Sequence, residues 1–141
     1  MLHKLYVAVA LVILAVVLVA CGGDEQPMLR VQMEEFKFSP THWKAPAGAE
    51  VTVSVTNHGA VVHEWMILKR NYQAIAPFDD TDRAQVYWQV KMEHEHHGEF
   101  TFTAPREPGE YQIICSMPGH LELGMTGTLM VTPRADEVAA R

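Results

Sequence analysis

The chain has 141 residues, a formal net charge of −6 and two cysteines. This length fits a single domain. The excess of acidic side chains argues against nucleic acid as a partner, because nucleic-acid binding calls for a basic face.

The first twenty residues have the features of a secretory signal. Lys4 supplies a positive start, and Leu5 to Ala20 is apolar apart from one tyrosine hydroxyl. Small residues directly before Cys21 resemble the bacterial lipobox, which predicts that residues 1–20 are removed and that Cys21 is acylated. The apolar run is shorter than the ~20 residues that usually span a membrane, although an uncleaved anchor remains an alternative. In both cases we expect an extracytoplasmic, periplasmic domain held at the membrane.

Removal of the signal would leave an acidic chain with one thiol. The remaining chain would contain 10 Lys and Arg residues and 17 Asp and Glu residues, which gives a formal charge of −7. A basic docking partner is compatible with this charge, although most acidic surfaces serve only solubility. If Cys21 carries lipid, Cys115 has no disulfide partner. A lone thiol in an oxidising compartment is a liability unless a group such as a metal occupies it.

The first half of the remaining chain alternates as short strands do. Arg30 to Phe38 is a predicted strand in which Phe36 or Phe38 faces inward. Glu34-Glu35 blurs the alternation, which indicates a bulge. Glu50 to Asn57 alternates valine with small polar residues and predicts a half-buried strand.

The second half continues the pattern with one irregular stretch. Residues 69–82 fit no strand pattern, and Arg83 to Met92 is either a short helix or an irregular strand. Other strand candidates are His42–Lys44, Val61–Leu68, Gly98–Thr103, Tyr111–Ile114 and Gly127–Pro133. Seven or eight short strands with frequent Gly and Pro predict an all-β, Greek-key β-sandwich. Residues 21–28 would then be a tether, 29–133 the domain and 134–141 a flexible tail.

One loop contains three potential metal ligands. Cys115, His120 and Met125 lie five positions apart between two predicted strands. Calcium and magnesium prefer oxygen, and structural zinc takes four strong donors, whereas a thioether is a poor one. Copper that cycles between Cu(I) and Cu(II) accepts one thiolate, two imidazoles and a long axial methionine. His63 would supply the second imidazole from another strand, with His58 in the preceding turn as its rival.

The loop from Cys115 to His120, followed by four residues, Met125 and Gly127-Thr128-Leu129, resembles the ligand loop of the cupredoxins, the blue copper proteins. Four residues in each gap is the spacing of the rusticyanin and auracyanin kind. The resemblance spans about Leu29 to Pro133. It implies one type 1 copper ion bound by His63, Cys115, His120 and, as the weak axial ligand, Met125.

The resemblance also implies a one-electron carrier rather than an enzyme. We expect a monomer whose partner is a redox protein such as a cytochrome or an oxidase. The alternative for the loop residues is a cysteine that packs as a small hydrophobe, a solvated histidine and a core methionine. That alternative leaves the regular spacing unexplained.

Four apolar side chains around His120 predict a small hydrophobic patch. They are Met117, Pro118, Leu121 and Leu123. Exposed apolar patches mark contact surfaces, and weak redox encounters use small ones. We therefore expect partners to dock here and the electron to cross through a solvent-facing edge of His120, unless some of the four face the core.

Glu64 departs from the family pattern, because cupredoxins often carry Asn directly after this histidine. A carboxylate there would accept similar backbone hydrogen bonds and favour Cu(II) through its charge, unless it points to solvent.

A polar cluster of three histidines, flanked by Glu93 and Glu95, motivates a second function. His94, His96 and His97 predict a labile second metal site or a pH-sensitive face, unless they form a solvated loop. A copper-binding homeostasis protein, which captures or transfers the metal, is therefore the alternative to the carrier. A metal-free adhesion-type sandwich is the third interpretation.

Overall fold

A computed structural model describes the chain from residue 26 to residue 134, and in that range nine strands form two sheets. The strands are β1 Met28–Glu34, β2 Lys37–Ser39, β3 His42–Pro46, β4 Glu50–Asn57, β5 His63–Leu68, β6 Val86–Met92, β7 His97–Thr103, β8 Gly109–Ile114 and β9 Thr126–Thr132. One short helix, α1, spans Asp80–Arg83. The predicted signal 1–20, the lipidation site Cys21, most of the tether and nearly all of the tail lie outside the described residues.

The two sheets confirm the predicted all-β sandwich. One has four strands in the order β2-β1-β4-β7, and the other has five in the order β3-β9-β8-β5-β6. β1 pairs in parallel with β4, and β3 pairs in parallel with β9. The remaining neighbours are antiparallel. Among residues 26–134, no helix is long and apolar enough to cross a membrane.

The predicted bulge at Glu34-Glu35 is wrong, and this accounts for an extra strand. The register pairs Glu34 with Lys37, so Glu35 and Phe36 form a two-residue turn between β1 and β2. Phe36 has a φ of 65°, a left-handed conformation that reverses the chain. Phe38 is buried, whereas Phe36 is exposed. The chain therefore folds back beside β1 instead of continuing as one bulged strand.

The main core lies between the two sheets. The strand β4 buries its three valines, as its alternation predicts. Trp65 on β5 is fully buried, and its ring packs edge-on against Trp43 at 5.3 Å and Trp88 at 6.1 Å between centroids. The indole N–H of Trp43 donates to the carbonyl of Arg30, which joins the two sheets.

The segment after β5 forms a second, smaller core. Residues 69–79 contain no strand or helix, as expected, and the ambiguous stretch contains the strand β6. Asp79 caps the one-turn helix α1 in a capping box with Asp82. The second core is formed by Met66, Leu68, Ala74, Ile114 and Leu121. Because Leu121 belongs to the predicted ligand loop, this core also fixes that loop.

Candidate metal centre

Sheet pairing brings three predicted ligands together at one end of the five-stranded sheet. His63 is the first residue of β5, and Cys115 directly follows β8. Since β5 and β8 are antiparallel, the start of one lies beside the end of the other. His120 reaches the same place from the loop between β8 and β9.

The ligand atoms of His63, Cys115 and His120 all lie within 4.8 Å of one another. The two Nδ1 atoms are 3.1 Å apart, and Cys115 Sγ is 3.3 Å from His120 Nδ1. In the part of the chain that the structure describes, no other three His, Cys, Asp or Glu residues are arranged in this way. One soft sulfur and two imidazole nitrogens that face each other fit copper of the blue type.

Met125 is fully buried and is tied to both loop ligands through its backbone. Its N–H donates to the carbonyl of His120 at 2.9 Å, and its carbonyl accepts from the N–H of Cys115 at 3.2 Å. Gly119 and Gly124 adopt φ values of +83° and +88°, which tighten the intervening turns. The sequence from Cys115 to Met125 therefore closes on itself, with Met125 in the same core as Cys115.

Burial keeps the cluster uncharged when no cation is bound. Burial lowers the pKa of His63 and of His120, and the neighbouring His120 lowers the pKa of His63 further. Burial likewise raises the pKa of the Cys115 thiol, against the opposing effect of the Glu64 N–H, which lies 3.4 Å from Sγ. A metal ion would have to displace the thiol proton on binding.

Glu64 links the two segments that carry the ligands. Its carboxylate accepts a hydrogen bond from the hydroxyl of Ser116, the residue after Cys115. The side chain is half-buried and therefore does not simply point to solvent. We expected this carboxylate to accept hydrogen bonds from backbone N–H groups, whereas it accepts one from a side-chain hydroxyl. That hydrogen bond still links β5 to the ligand loop.

Asn57 organises the loop that delivers His63, and the sequence analysis missed it. Its buried Nδ2 donates to the carbonyl of Val61 at 2.8 Å, and its Oδ1 accepts from the N–H of Gly59 at 2.8 Å. The same Nδ2 reaches the carbonyls of Met92 and Glu93 at the end of β6. An Asn two residues before Gly at the end of a buried strand was the available signal.

Two further residues next to the ligands come from the opposite sheet. Glu35 accepts from the N–H of Ala60, and its Oε1 lies 3.9 Å from His63 Nε2. The ring of Phe36 meets that of His120 edge-on, with 5.2 Å between centroids. Sequence spacing gave no signal for either contact, because the turn lies far from the ligands in the chain.

The structure corrects one expectation about the docking patch and restricts another. Leu121 is only 9% exposed and packs in the second core, so its predicted place on the surface is wrong. His120 is only 7% exposed, so any edge that it presents to solvent is small. Met117 is half-buried against the main core, whereas Pro118 and Leu123 are exposed.

The other histidines are not gathered into a preformed site. His94, His96 and His97 are all exposed. Nδ1 of His97 pairs with the hydroxyl of Thr56 at 3.0 Å, and Nδ1 of His96 pairs with the carbonyl of His94 at 2.9 Å. These contacts occupy one ring nitrogen of His96 and one of His97. His58, the rival of His63, is also exposed and stands outside the cluster of three.

Comparisons with known proteins agree with the loop motif. A family model described as a cupredoxin-like domain matches residues 7–131. Auracyanin-B of Chloroflexus aurantiacus is 30% identical over 122 residues, which cover 74% of this chain and 51% of that protein. Auracyanin-A of the same organism is 28% identical, with 91% of this chain and 96% of that protein covered. This chain thus spans about half the length of the first relative and nearly all of the second.

A solved structure gives the same result for the fold. The structure of auracyanin A from Chloroflexus aurantiacus, described as a "blue" copper protein, superposes with a TM-score of 0.62 at 27% identity. The superposition covers 77% of this chain and all of that one.

Proposed function

This chain belongs to the cupredoxin-like domain family, and on that premise we propose that it carries single electrons with one copper ion bound by His63, Cys115, His120 and Met125. The family binds type 1 copper, which implies electron transfer. The observation that best supports the ligand assignment is the convergence of two imidazole Nδ1 atoms and one Sγ within 4.8 Å in a buried site.

The protein residues prepare the site for rapid exchange. When bound, copper of this type alternates between Cu(I) and Cu(II) by gaining or losing one electron. Cys115 releases its proton to bind, and the two imidazoles bind in the neutral form that burial already favours. The backbone bonds of Met125 and the Ser116–Glu64 link hold the donors in place. Little has to move between the two oxidation states.

Burial of the donors supports a carrier rather than an enzyme. None of the three clustered side chains is more than 7% exposed. A substrate would need an open position at the ion, whereas an electron crosses a few layers of packed atoms. Copper capture or transfer is the second candidate, but His94, His96 and His97 are exposed and form no cluster of ligand atoms, so they give it no specific support.

We place the protein on the outer side of the cytoplasmic membrane, anchored through a lipid on Cys21. Its partner would be a one-electron redox protein such as a cytochrome or an oxidase, bound by a monomer. Pro118, Leu123 and part of Met117 would form the docking surface, because Leu123 is 60% exposed beside the ligand loop. The acidic chain would favour a basic partner surface.

Stopped-flow mixing of the copper-loaded, reduced protein with oxidised cytochrome c tests the proposal. We expect rapid, complete electron transfer with the copper retained afterwards. Leu123→Lys should slow the transfer, because a charge disrupts apolar docking. Met28→Lys is the matched control. Met28 is also exposed, but it begins β1 and so lies at the end of that strand that is remote from the site.

The outcomes separate the two functions. Loss of copper to an acceptor before electron transfer would favour the homeostasis protein. Equal slowing by both lysine variants would contradict the docking surface, because only the net charge would then matter.

A further inference from the structure

The turn formed by Glu35 and Phe36 contacts both imidazoles of the site from the opposite sheet. All three clustered donors belong to the five-stranded sheet and its loops, whereas the turn joins β1 and β2 of the four-stranded sheet. Glu35 lies beside His63, and the next residue lies beside His120. Two adjacent residues thus reach the outer sides of two different ligands.

The outer nitrogen of His63 requires a partner that the nearby backbone does not supply. Its Nδ1 faces the cluster, and when Nδ1 binds a metal ion the neutral ring carries its proton on Nε2. Nε2 is buried and makes no hydrogen bond. Metal-binding histidines almost always donate this second N–H to a carboxylate, a carbonyl or a water. Glu35 Oε1, at 3.9 Å, is within reach of a small closing movement or of one bridging water.

Two features keep Glu35 in place and leave the space between its carboxylate and His63 Nε2 free. The backbone N–H of Ala60, in the loop that leads to His63, binds its carboxylate. This hydrogen bond is also the main reason why the pKa of Glu35 is lowered, so the group is charged at neutral pH. A Cβ on Gly59 would come within 2.7 Å of both Glu35 Oε1 and His63 Nε2. Only glycine leaves this approach free.

Phe36 covers the other imidazole in a conformation that a bulky residue rarely adopts. Its φ of 65° belongs to the left-handed region, where glycine or asparagine is usual. Its ring edge packs on His120, and Phe36 itself remains 39% exposed. Phe36 is thus the more exposed of the two residues and covers one side of the imidazole.

We propose that the Glu35–Phe36 turn is a positioning element of the metal site, in which Glu35 orients and polarises His63 and Phe36 shields His120 from water. This inference rests on the proposed electron carrier. A negative charge next to the outer N–H of His63 makes the ring a stronger donor, which favours the oxidised ion. One electron enters or leaves the site, and the turn neither gains nor loses a proton.

Reduction potentials of copper-loaded variants test the role of Glu35. Glu35→Gln should shift the one-electron equilibrium about tenfold towards the reduced form, equivalent to about 59 mV. Glu34→Gln is the matched control, because it removes the same charge one residue away, from an exposed pair with Lys37. We expect the control to shift the equilibrium less than half as far. Equal shifts in the two variants would overturn the role of Glu35.

A measurement on the metal-free protein separates this inference from the proposed function. Nitrogen NMR of wild type should show His63 with its proton on Nε2, and Glu35→Ala should give a mixture of the two tautomers. An unchanged tautomer in Glu35→Ala would overturn the inference even if the wild-type protein carries electrons. A wild type that binds no copper would instead overturn the proposed function and leave this result standing.

Phe36→Gly tests the shield without straining the backbone. Removal of the ring should speed solvent exchange of the His120 ring N–H at least tenfold, while the denaturation midpoint changes little because glycine suits the positive φ. Lys37→Ala, in the same hairpin, should leave this exchange unchanged. A lower midpoint with unchanged exchange in Phe36→Gly would show that the ring serves only packing.

Discussion

The chemistry of the site is concentrated in three side chains that are neutral because they are buried. Two imidazole nitrogens and one thiol face each other, and the carboxylate of Glu35 lies only on the outer side of His63. In mild acid this arrangement costs the metal-free protein some stability, because each buried histidine gives up the proton that it would bind in water. A cation removes the conflict, since it binds lone pairs that otherwise oppose one another.

At this scale the sequence predicted candidate ligands but not how exposed they are. The donor types of Cys115, His120 and Met125 favoured copper, and the structure gathers two of these side chains with His63. The burial of His120 was not predictable, because the covering residue Phe36 lies far away in the sequence. Leu121 was assigned to the surface because most of its packing partners, on β5 and in the segment after it, also lie far away in the sequence.

The lowered pKa values of His63 and His120 predict that the metal-free protein loses stability in mild acid. The unfolded imidazoles bind protons below their ordinary pKa of 6.5, whereas the folded ones resist until a lower pH. The free energy of unfolding should therefore fall from pH 7 towards pH 5.5, with a slope that approaches ~1.4 kcal/mol per pH unit for each imidazole. Urea denaturation at several pH values measures this dependence of the free energy of unfolding on pH.

A substitution in the cluster provides the control. His120→Gln should reduce this slope, whereas His96→Gln, which changes an exposed histidine outside the cluster, should leave it unchanged. A stability that rises as the pH falls from 7 to 5.5 would contradict the direction of both pKa shifts.

At the scale of elements, the ligand loop is held between two cores. The main core contains Cys115 and Met125, and the second core contains Leu121. His120 lies between these anchors, so its position depends on the segment that follows β5. The irregular residues 69–79 thus have a structural role: they cover the outer face of β5 and β8 beside the site.

Alternating strands were predictable, and the connections between them were less so. The valines of β4 gave a clear period of two, and the structure follows it. The turn at Glu35-Phe36 was mistaken for a bulge because Phe36 is an unusual residue for a positive φ. The strand β6 was ambiguous because it lies at the edge of its sheet, where only some of its side chains are buried.

Paired leucine substitutions test the anchoring of the loop. Leu121→Ala should lower the free energy of unfolding of the metal-free protein by about 2–3 kcal/mol, because it leaves a cavity in the second core. Leu123→Ala should change it by less than ~0.5 kcal/mol, since that side chain is largely exposed. Chemical denaturation of both variants makes the comparison, and equal effects would contradict the inward orientation of Leu121.

At the scale of the whole molecule, the sandwich brings distant parts of the chain to one end. His63 reaches Cys115 because β5 and β8 are neighbours. Glu35 reaches His63 because the four-stranded sheet packs over the five-stranded one and Ala60 fixes the turn. The ligand motif and its family resemblance predicted the first contact. The second depends on sheet packing, which no local pattern in the sequence encodes.

Visible absorption during titration of the metal-free protein with Cu(II) tests the central claim most directly. We predict an intense band at about 600 nm that saturates at one equivalent, as the resemblance to the blue copper proteins implies for a thiolate-bound copper ion. Cys115→Ser should abolish the band, whereas His58→Gln should retain it. A titration that gives only weak absorption, or a Cys115→Ser variant that keeps the full band, would contradict the assignment of a type 1 copper site.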